Sequence, residues 1–492
     1  MQLRNYQADA IQKLFASIKG GNLRPVLQSP TGSGKTVIGA ELIRLARSKG
    51  RRVLFCVPAL SLIDQTVERF EKQGITEVGV IQSMHPMTDP RQPIQICSVQ
   101  TLARRGIPDA DLAIIDEAHV MFKLYEDWFN QPEWVNKPII GLSATPWAKG
   151  MGKIWNDLVI GTTTQNLIDF GHLSPFRVFA CAHPDLSGVK TLAGDYELKS
   201  LGTAMDKPKL VADIVSTWLE RGQNRPTLCF AVNRLHAKAI QARFEQAGVR
   251  TGYVDAYTDL LERQSLANKF QNGDITVIVN VGVLTTGVDW DVRCIILARP
   301  TKSEILYTQI IGRGLRTAKG KDYCLILDHS DTTLSLGFVT DIHHERLDDG
   351  RRNIASKAPV KKPKECPNCK VLLPPKSLTC DACGHEIKLK SNIYSLPGEL
   401  QELDENRRFK PKFVVPEADQ ELFYRELLTH ASVKGWKEGW AYWAFQDKFK
   451  TKPSSHWSRK PVDVISPSTM SWITSRNIAQ AKSRRRQDRG AA

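Results

Sequence analysis

A chain of 492 residues, 41% hydrophobic and 24% charged, has the make-up of a globular protein of about three domains. No run of 18 or more apolar residues occurs, so no membrane helix is expected, and the start Met1-Gln2-Leu3-Arg4-Asn5-Tyr6 lacks the apolar core of a signal peptide, so a cytoplasmic location is expected. The net charge is +16, and residues 351–492 hold 28 Lys and Arg against 15 Asp and Glu, so most of the excess lies at the C-terminal end and argues for a polyanionic partner.

Short apolar runs alternate with helical stretches over the first 150 residues. Strands are predicted at Pro25–Gln28, Arg52–Val57, Ile94–Val99, Leu112–Ile115 and Ile139–Leu142, with helices such as Val37–Lys49 and Leu60–Gln73 between them. Such alternation implies a parallel sheet covered by helices. The run Ser29-Pro30-Thr31-Gly32-Ser33-Gly34-Lys35-Thr36 follows the first strand and opens the first helix, the setting a phosphate loop requires. Gly32 and Gly34 let backbone N–H groups turn toward phosphate oxygens. Lys35 brings a charge to the β- and γ-phosphates, and Thr36 offers a hydroxyl to Mg²⁺. Ser29 stands where the general motif has its first Gly.

The next motif is Leu112-Ala-Ile-Ile-Asp116-Glu117-Ala118-His119, an apolar strand with acids at its C-terminal end. Ligands of open α/β sheets bind at that end. There Asp116 is expected to hold Mg²⁺ through water, and Glu117 to orient and deprotonate an attacking water.

The alternation restarts near residue 208. Strands are predicted at Thr227–Ala231, Thr251–Val254, Thr276–Asn280, Cys294–Ala298 and Tyr323–Leu327, and helices at Leu210–Arg221, Leu235–Gln246, Leu260–Gln271 and Ser303–Gly312. In Gln309-Ile-Ile-Gly-Arg313-Gly-Leu-Arg316, a helix would project Gln309, Arg313 and Arg316 from one face. Charge develops on the γ-phosphate during phosphoryl transfer, and these groups would meet it only when the two domains close.

The phosphate loop, the Asp116-Glu117-Ala118-His119 box, Ser143-Ala144-Thr145 and Gln-x-x-Gly-Arg-x-x-Arg, in that order, resemble the motifs of superfamily 2 helicases with a DEAH box. The resemblance spans roughly residues 3–330. It implies an ATP-dependent nucleic-acid motor. It also implies that Gln7 reads adenine with Arg4 in support, and that Pro30, Thr31 and Ser33 complete the nucleotide loop. His119, Ser143 and Thr145 would couple hydrolysis to movement. Val57-Pro58-Ala-Leu, Ser98-Val-Gln-Thr101 and Phe230–Asn233 resemble strand-contacting loops, and Thr285-Thr286-Gly287-Val-Asp289 resembles the coupling motif, with Thr286 toward nucleic acid and Gly287 and Asp289 toward nucleotide. The nearest subgroup resembles bacterial RadD-like DNA repair helicases or a phage relative. The architecture implied is α/β: two tandem RecA-like parallel-sheet domains at 1–155 and 208–350 joined by a segment at 156–207. A linker and zinc-binding module follow at 351–390, and a mainly helical basic region at 391–492.

Six of the ten cysteines, Cys56, Cys97, Cys181, Cys229, Cys294 and Cys324, lie mostly in strand-like runs and read as core thiols. The other four, Cys366-Pro-Asn-Cys369 and Cys380-Asp-Ala-Cys383-Gly384, have the spacing of a tetrahedral Zn²⁺ site, with His385 a less favoured alternate ligand. Four thiolates leave no open position, so such a zinc would be structural. Farther on, Trp436, Trp440 and Trp443 recur at helical spacing among lysines and read as a domain core in preference to a base-stacking face. Lys482–Arg489 reads as a phosphate-touching tail.

Four readings compete: a DNA helicase or translocase in repair, recombination or replication; an RNA helicase; the motor subunit of a restriction system; and a zinc adaptor with an inactive motor. Intact Lys35, Asp116, Glu117, Arg313 and Arg316 oppose the last, and the zinc-bearing tail favours the first. The cofactors expected are ATP, Mg²⁺ and one Zn²⁺. The partners expected are duplex, forked or single-stranded DNA, and single-strand-binding or recombination proteins at the C-terminal region. The chain is expected to act as a monomer away from membranes.

Overall fold

The structure, a computed structural model, describes residues 3–82, 84–180, 183–285, 289–350, 362–387 and 415–477. Its first sheet contains β1 (Pro25–Gln28), β2 (Val53–Val57), β3 (Val78–Ile81), β4 (Ile94–Ser98), β5 (Leu112–Asp116), β6 (Ile139–Ser143) and β7 (Asp157–Ile160). All pairings are parallel, in the order β3-β4-β2-β5-β6-β1-β7. The central strands are rich in Val, Ile and Leu and buried along their length, as a sheet covered on both faces requires. One face packs Phe55, Phe70 and Ile114, and the other packs Tyr125, Trp128 and Trp155.

The second sheet begins with β8 (Phe176–Ala180). A small hairpin follows, β9 (Thr191–Leu192) with β10 (Asp195–Tyr196), and then β11 (Thr227–Phe230), β12 (Thr251–Val254), β13 (Val277–Asn280), β14 (Cys294–Leu297) and β15 (Cys324–Asp328). The order is β12-β13-β11-β14-β15-β8, again all parallel. The fold is thus two tandem RecA-like domains.

The segment 156–207, expected only to connect, supplies an edge strand to each sheet, β7 to the first and β8 to the second. Strand β3, also at an edge, is likewise absent from the expected elements. Strands β7 and β8 are short and half-exposed, and Asp157 and Arg177 break the apolar runs that mark buried strands. The helix Glu304–Gly314 stops before Arg316, so Arg316 does not share its face with Gln309 and Arg313. A Cβ on Gly314 would collide with Cys324 Sγ, so the chain there is pressed against β15. Arg316 instead forms an isolated antiparallel bridge with Leu173.

Residues 362–387 fold around the hairpin β16 (Lys364–Glu365) and β17 (Leu372–Leu373). Val371 bridges Phe179 and covers the otherwise open edge of the second sheet at β8. Of the six scattered cysteines, Cys56, Cys97, Cys229, Cys294 and Cys324 are buried, and Cys181 lies outside the described residues.

The C-terminal unit has a hydrophobic core of its own. Helices Glu417–Val433, Gly439–Phe449 and 467–477 enclose Phe423, Leu427, Ala444, Phe445 and Ile473. Buried Glu426 accepts hydrogen bonds from Ser466 N–H (2.9 Å), Ser466 Oγ (3.0 Å) and the Thr469 hydroxyl, which ties the third helix down at its positive end. The reading of three tryptophans as core needs correction. Trp436 precedes its helix and is 43% exposed, Trp443 is 63% exposed, and only Trp440 packs beside the core. Small Ala441 and Ala444 with Phe445 take the inward face instead. The segment 391–414 and Lys482–Arg489 lie outside the described residues. Among the described residues no helix is long and apolar enough to cross a membrane.

Phe445 is fully buried in this small core. Phe445→Ala should cost about 3–5 kcal/mol and unfold the C-terminal unit, while the motor domains keep their thermal transition. A single unchanged melting curve in calorimetry would contradict a separate core.

Candidate functional site

The candidate nucleotide site is a cleft of about 410 Å³ lined from both sheets, by Thr31, Gly32, Gly34, Lys35, Thr36, Asp116 and Glu117 on one side and Asp289, Arg313 and Arg316 on the other. The first group sits at the C-terminal ends of β1 and β5, where the parallel strands direct their loops. Gly34 caps the helix Lys35–Arg47 with φ 85°, a left-handed backbone that favours glycine. Lys35 and Thr36 therefore start a helix whose positive end opens into the cleft.

Hydrogen bonds brace the loop. Ser29 Oγ and Ser33 Oγ lie 2.6 Å apart, so the serine in place of the motif's first glycine supports the turn. Tyr6 Oη and Gln7 Nε2 both donate to the Ser33 carbonyl, at 2.7 and 3.0 Å, and Arg4 N–H donates to Gln7 Oε1 at 3.0 Å. A Cβ on Gly34 would lie 2.5 Å from Gln7 Nε2, so the phosphate loop and the Arg4–Gln7 element are in direct contact. Pro30 accepts the Ser33 N–H at 3.1 Å through its carbonyl.

Lys35 Nζ and Glu117 Oε1 are 3.8 Å apart, both largely buried. Burial pushes Glu117 up, but the Lys35 charge, with Arg313, overcomes it and holds the carboxyl below its usual range. Burial and the neighbouring Glu117 push Asp116 up to about 6. The donor set suits a hard cation: the Asp116 carboxylate and Thr36 hydroxyl line the same cleft, and the buried Glu117 Oε2 has no hydrogen-bond donor. Thr36 and Asp116 would hold Mg²⁺, which supplies charge neutralisation to a bound triphosphate.

The box connects the two domains. His119 Nδ1 faces Ser143 Oγ at 3.0 Å and lies 3.4 Å from Glu117 Oε2, while His119 Nε2 faces Gln309 Nε2 at 3.0 Å. Burial lowers the His119 pKa, so its ring is neutral. With the Gln309 amide donating to Nε2, the ring proton sits on Nδ1 and is donated to Ser143. Ser143 Oγ also accepts Thr145 N–H at 3.1 Å. Arg313 Nε donates to the Thr285 carbonyl at 2.9 Å, and Arg316 pairs with Asp289 Oδ1 at 2.5 Å. Burial, with Arg316 nearby, lowers Arg313 to about 10, still charged at neutral pH.

Other expected positions scatter. Pro58, on the loop after β2, and Thr101, in the first turn of the helix Val99–Arg105, are neighbours: Gln100 Nε2 donates to the Pro58 carbonyl at 2.7 Å, and Thr101 N–H donates to the N-cap Ser98 Oγ at 3.2 Å. A cavity of about 760 Å³ opens beside them, with Leu60, Ser61 and Arg104 in its wall. Asn233 caps the helix Arg234–Gln246 of the second domain, accepting His236 N–H at 2.9 Å, away from both. Thr286 and Gly287 lie outside the described residues. The cleft also takes in Arg69, Lys72 and His172, which no motif marks. Tyr6 and His172 rings approach at 5.3 Å, a ring pair visible only once both domains are assembled.

Cys366, Cys369, Cys380 and Cys383 gather with all Sγ atoms within 4.8 Å of one another. Pairs at 3.7 and 3.6 Å match the edge of about 3.8 Å that a tetrahedral Zn–S length of about 2.3 Å sets. Each knuckle closes alike, Lys370 N–H on the Cys366 carbonyl and Gly384 N–H on the Cys380 carbonyl, with φ 65° and 70°. A hydrogen bond from Asn368 and the His385 N–H pull Cys383 down to about 6. The four thiolates fit Zn²⁺ and would hold it as a fold-supporting ion; His385 adds only backbone groups here.

Two family models match this chain: "Type III restriction enzyme, res subunit" over residues 1–148 and "Helicase conserved C-terminal domain" over residues 206–318. In this order they are the two motor domains of a superfamily 2 helicase ATPase, and the chain belongs to that class. Among similar proteins, the "51.5 kDa protein" of a Lactococcus phage is 28% identical over 79% of this chain and 84% of its own length. The "Putative ATP-dependent helicase IRC3" of Saccharomyces cerevisiae is 32% identical over 69% of this chain and 52% of its own. The "ATP-dependent DNA helicase uvsW" of phage T4 is 23% identical over 66% and 68%. This chain thus spans about half the length of its yeast relative.

The Asp116 environment sets a pH dependence. Its raised pKa means the fold favours the neutral carboxyl, and that contribution to stability is lost as pH rises through about 6. A bound cation favours the ionised form instead. Mg²⁺-nucleotide affinity should therefore weaken by up to about tenfold per pH unit below about 6. Titration with a fluorescent nucleotide checks this, and Asp116→Asn should flatten the profile. A flat wild-type profile would contradict the metal-holding role.

Proposed function

We propose that this chain is an ATP-driven DNA motor that moves on or remodels DNA in repair, recombination or replication. The observation that carries the reading is the cleft itself, where Lys35 and Glu117 of the first sheet face Arg313 and Arg316 of the second across one cavity. Lys35 and the loop N–H groups cradle the phosphates, and Gln7 and Arg4 border the base. Glu117, held ionised, takes the proton of the attacking water. Arg313 and Arg316 meet the charge that develops on the γ-phosphate. Gln309, His119, Ser143 and Thr145 carry the nucleotide state between domains, and Pro58, Thr101 and Asn233, with Thr286 of the coupling motif, are assigned to nucleic acid.

DNA is favoured as the track by the +13 carried after residue 350 and by the phage DNA helicase among the relatives. The Asp-Glu-Ala-His box followed by a four-cysteine module supports, in this reading, a kinship with RadD-like repair helicases. A second reading, the motor subunit of a restriction system, is favoured by the description of the family model over residues 1–148.

ATP turnover in the presence of DNA tests the proposal. Arg316→Ala should bind ATP nearly normally and lose roughly 10³-fold in hydrolysis; normal turnover would overturn its role. Removal of residues 358–492 should weaken DNA binding and flatten its salt dependence, which falls with a slope near −0.9 per neutralised phosphate on duplex DNA, while basal ATPase persists. Unchanged affinity and slope would make the C-terminal region a protein-docking module.

A further inference from the structure

Beyond β15 the chain turns back across the motor. Phe338 and Val339 pack into the core of the second sheet with Ile342 beside them, and Leu347 packs against the core of the first. Residues 338–350 therefore bridge the two domains, and none of them lines the nucleotide cleft.

The bridge is built from specific contacts. The His344 ring lies 4.9 Å from the Trp147 ring, centroid to centroid, and its Nε2 is 2.6 Å from Glu304 Oε2. Trp147 stands two residues past Thr145, whose carbonyl accepts the Trp147 N–H at 2.8 Å. Glu304 is the first residue of the helix that carries Gln309 and Arg313. Next to this, Asp348 Oδ1 accepts Gly150 N–H at 2.9 Å and Gly350 N–H at 2.7 Å, and its carbonyl accepts Gly152 N–H at 2.7 Å. A Cβ on Gly152 would stand 3.2 Å from that carbonyl, so the strap lies tight on the loop behind Ser143–Thr145.

We propose that residues 338–350 form a clasp that sets the two motor domains in register, with His344 as a positioning residue for the ATPase site. The inference rests on the ATPase reading above. His344 touches no cleft residue; it acts through Glu304 and Trp147. A helix is stiff, and Glu304 lies nine residues, or about 13 Å, before Arg313, so a shift at its start is delivered to the arginine. The same ring leans on the segment that ends in Ser143 and Thr145. The clasp thus grips, from outside, the two elements that His119 and Gln309 join inside.

The test uses the full chain in two measurements: ATPase kinetics, and hydrogen exchange with and without Mg²⁺ and a non-hydrolysable ATP analogue. His344→Ala should lower kcat by about tenfold while KM for ATP stays within about twofold, because closure is impaired and the phosphate cradle is not. Trp147→Phe keeps an aromatic ring against His344 and should retain kcat within about twofold. The analogue should slow exchange at the Gly150 and Gly350 amides of the wild type, and Asp348→Ala should abolish that slowing. Wild-type kcat in His344→Ala, or the same nucleotide-dependent slowing in Asp348→Ala, would overturn the clasp. Should His344→Ala fail to fold, Asp348→Ala, on an exposed loop, decides alone. A wild-type chain without ATPase would sink the ATPase reading, and the exchange pattern would still decide the clasp.

Discussion

A single neutral imidazole joins the two halves of this motor. His119 projects from the end of the acidic box, donates through Nδ1 to Ser143, and receives the Gln309 amide of the other domain at Nε2. The arrangement depends on burial. In water the ring would take a second proton near neutral pH and repel the Gln309 donor; desolvation lowers its pKa and keeps Nε2 free to accept. Glu117, 3.4 Å from the same ring, must stay ionised for its proposed task. Lys35 overcomes the cost of burying that charge. The chemistry of the cleft and the contact between domains therefore share one hydrogen-bonded group.

Close packing makes that contact sensitive to small motions. A Cβ on Gly312 would sit 2.7 Å from Thr31 Cβ, and one on Gly32 would sit 2.9 Å from Leu173 Cδ2. The arginine helix at Gly312 thus meets the Thr31 side chain of the phosphate loop directly, and the loop at Gly32 meets the Leu173 side chain. Such surfaces fit in one arrangement and separate in another, with little between. The glycines of these motifs serve the approach of the domains as much as the approach of a phosphate. Elsewhere the fold closes an exposed edge with the four-cysteine module, where Val371 bridges β8.

Much of this was legible in the sequence, for a physical reason. Strands buried on both faces are near-continuous apolar runs, so β1, β2, β5, β11 and β14 could be read within a residue or two of their bounds. The edge strands β7 and β8 could not, because exposure lets charged residues such as Asp157 and Arg177 into them, and β3 is only four residues long with Gly79 inside it. The phosphate loop, the acidic box and the cysteine knuckles are local patterns, and the structure places each as a compact group. Contacts made by assembly left no local mark. Arg69 and Lys72 look like an ordinary basic helix end, His172 like a lone surface histidine, and His344 like part of an irregular stretch. The helical spacing of Trp436, Trp440 and Trp443 was misleading because the helix begins only at Gly439, leaving the first tryptophan outside it.

In the proposed mechanism His119 and Gln309 act as one connection between ATP chemistry and domain closure. A double-mutant cycle on DNA-stimulated ATP turnover tests it most directly, with His119→Ala, Gln309→Ala and the pair together. Groups that act as a unit lose function non-additively. Each single change should cost nearly as much as both, with a coupling of at least about 1 kcal/mol. Losses that simply add would contradict it.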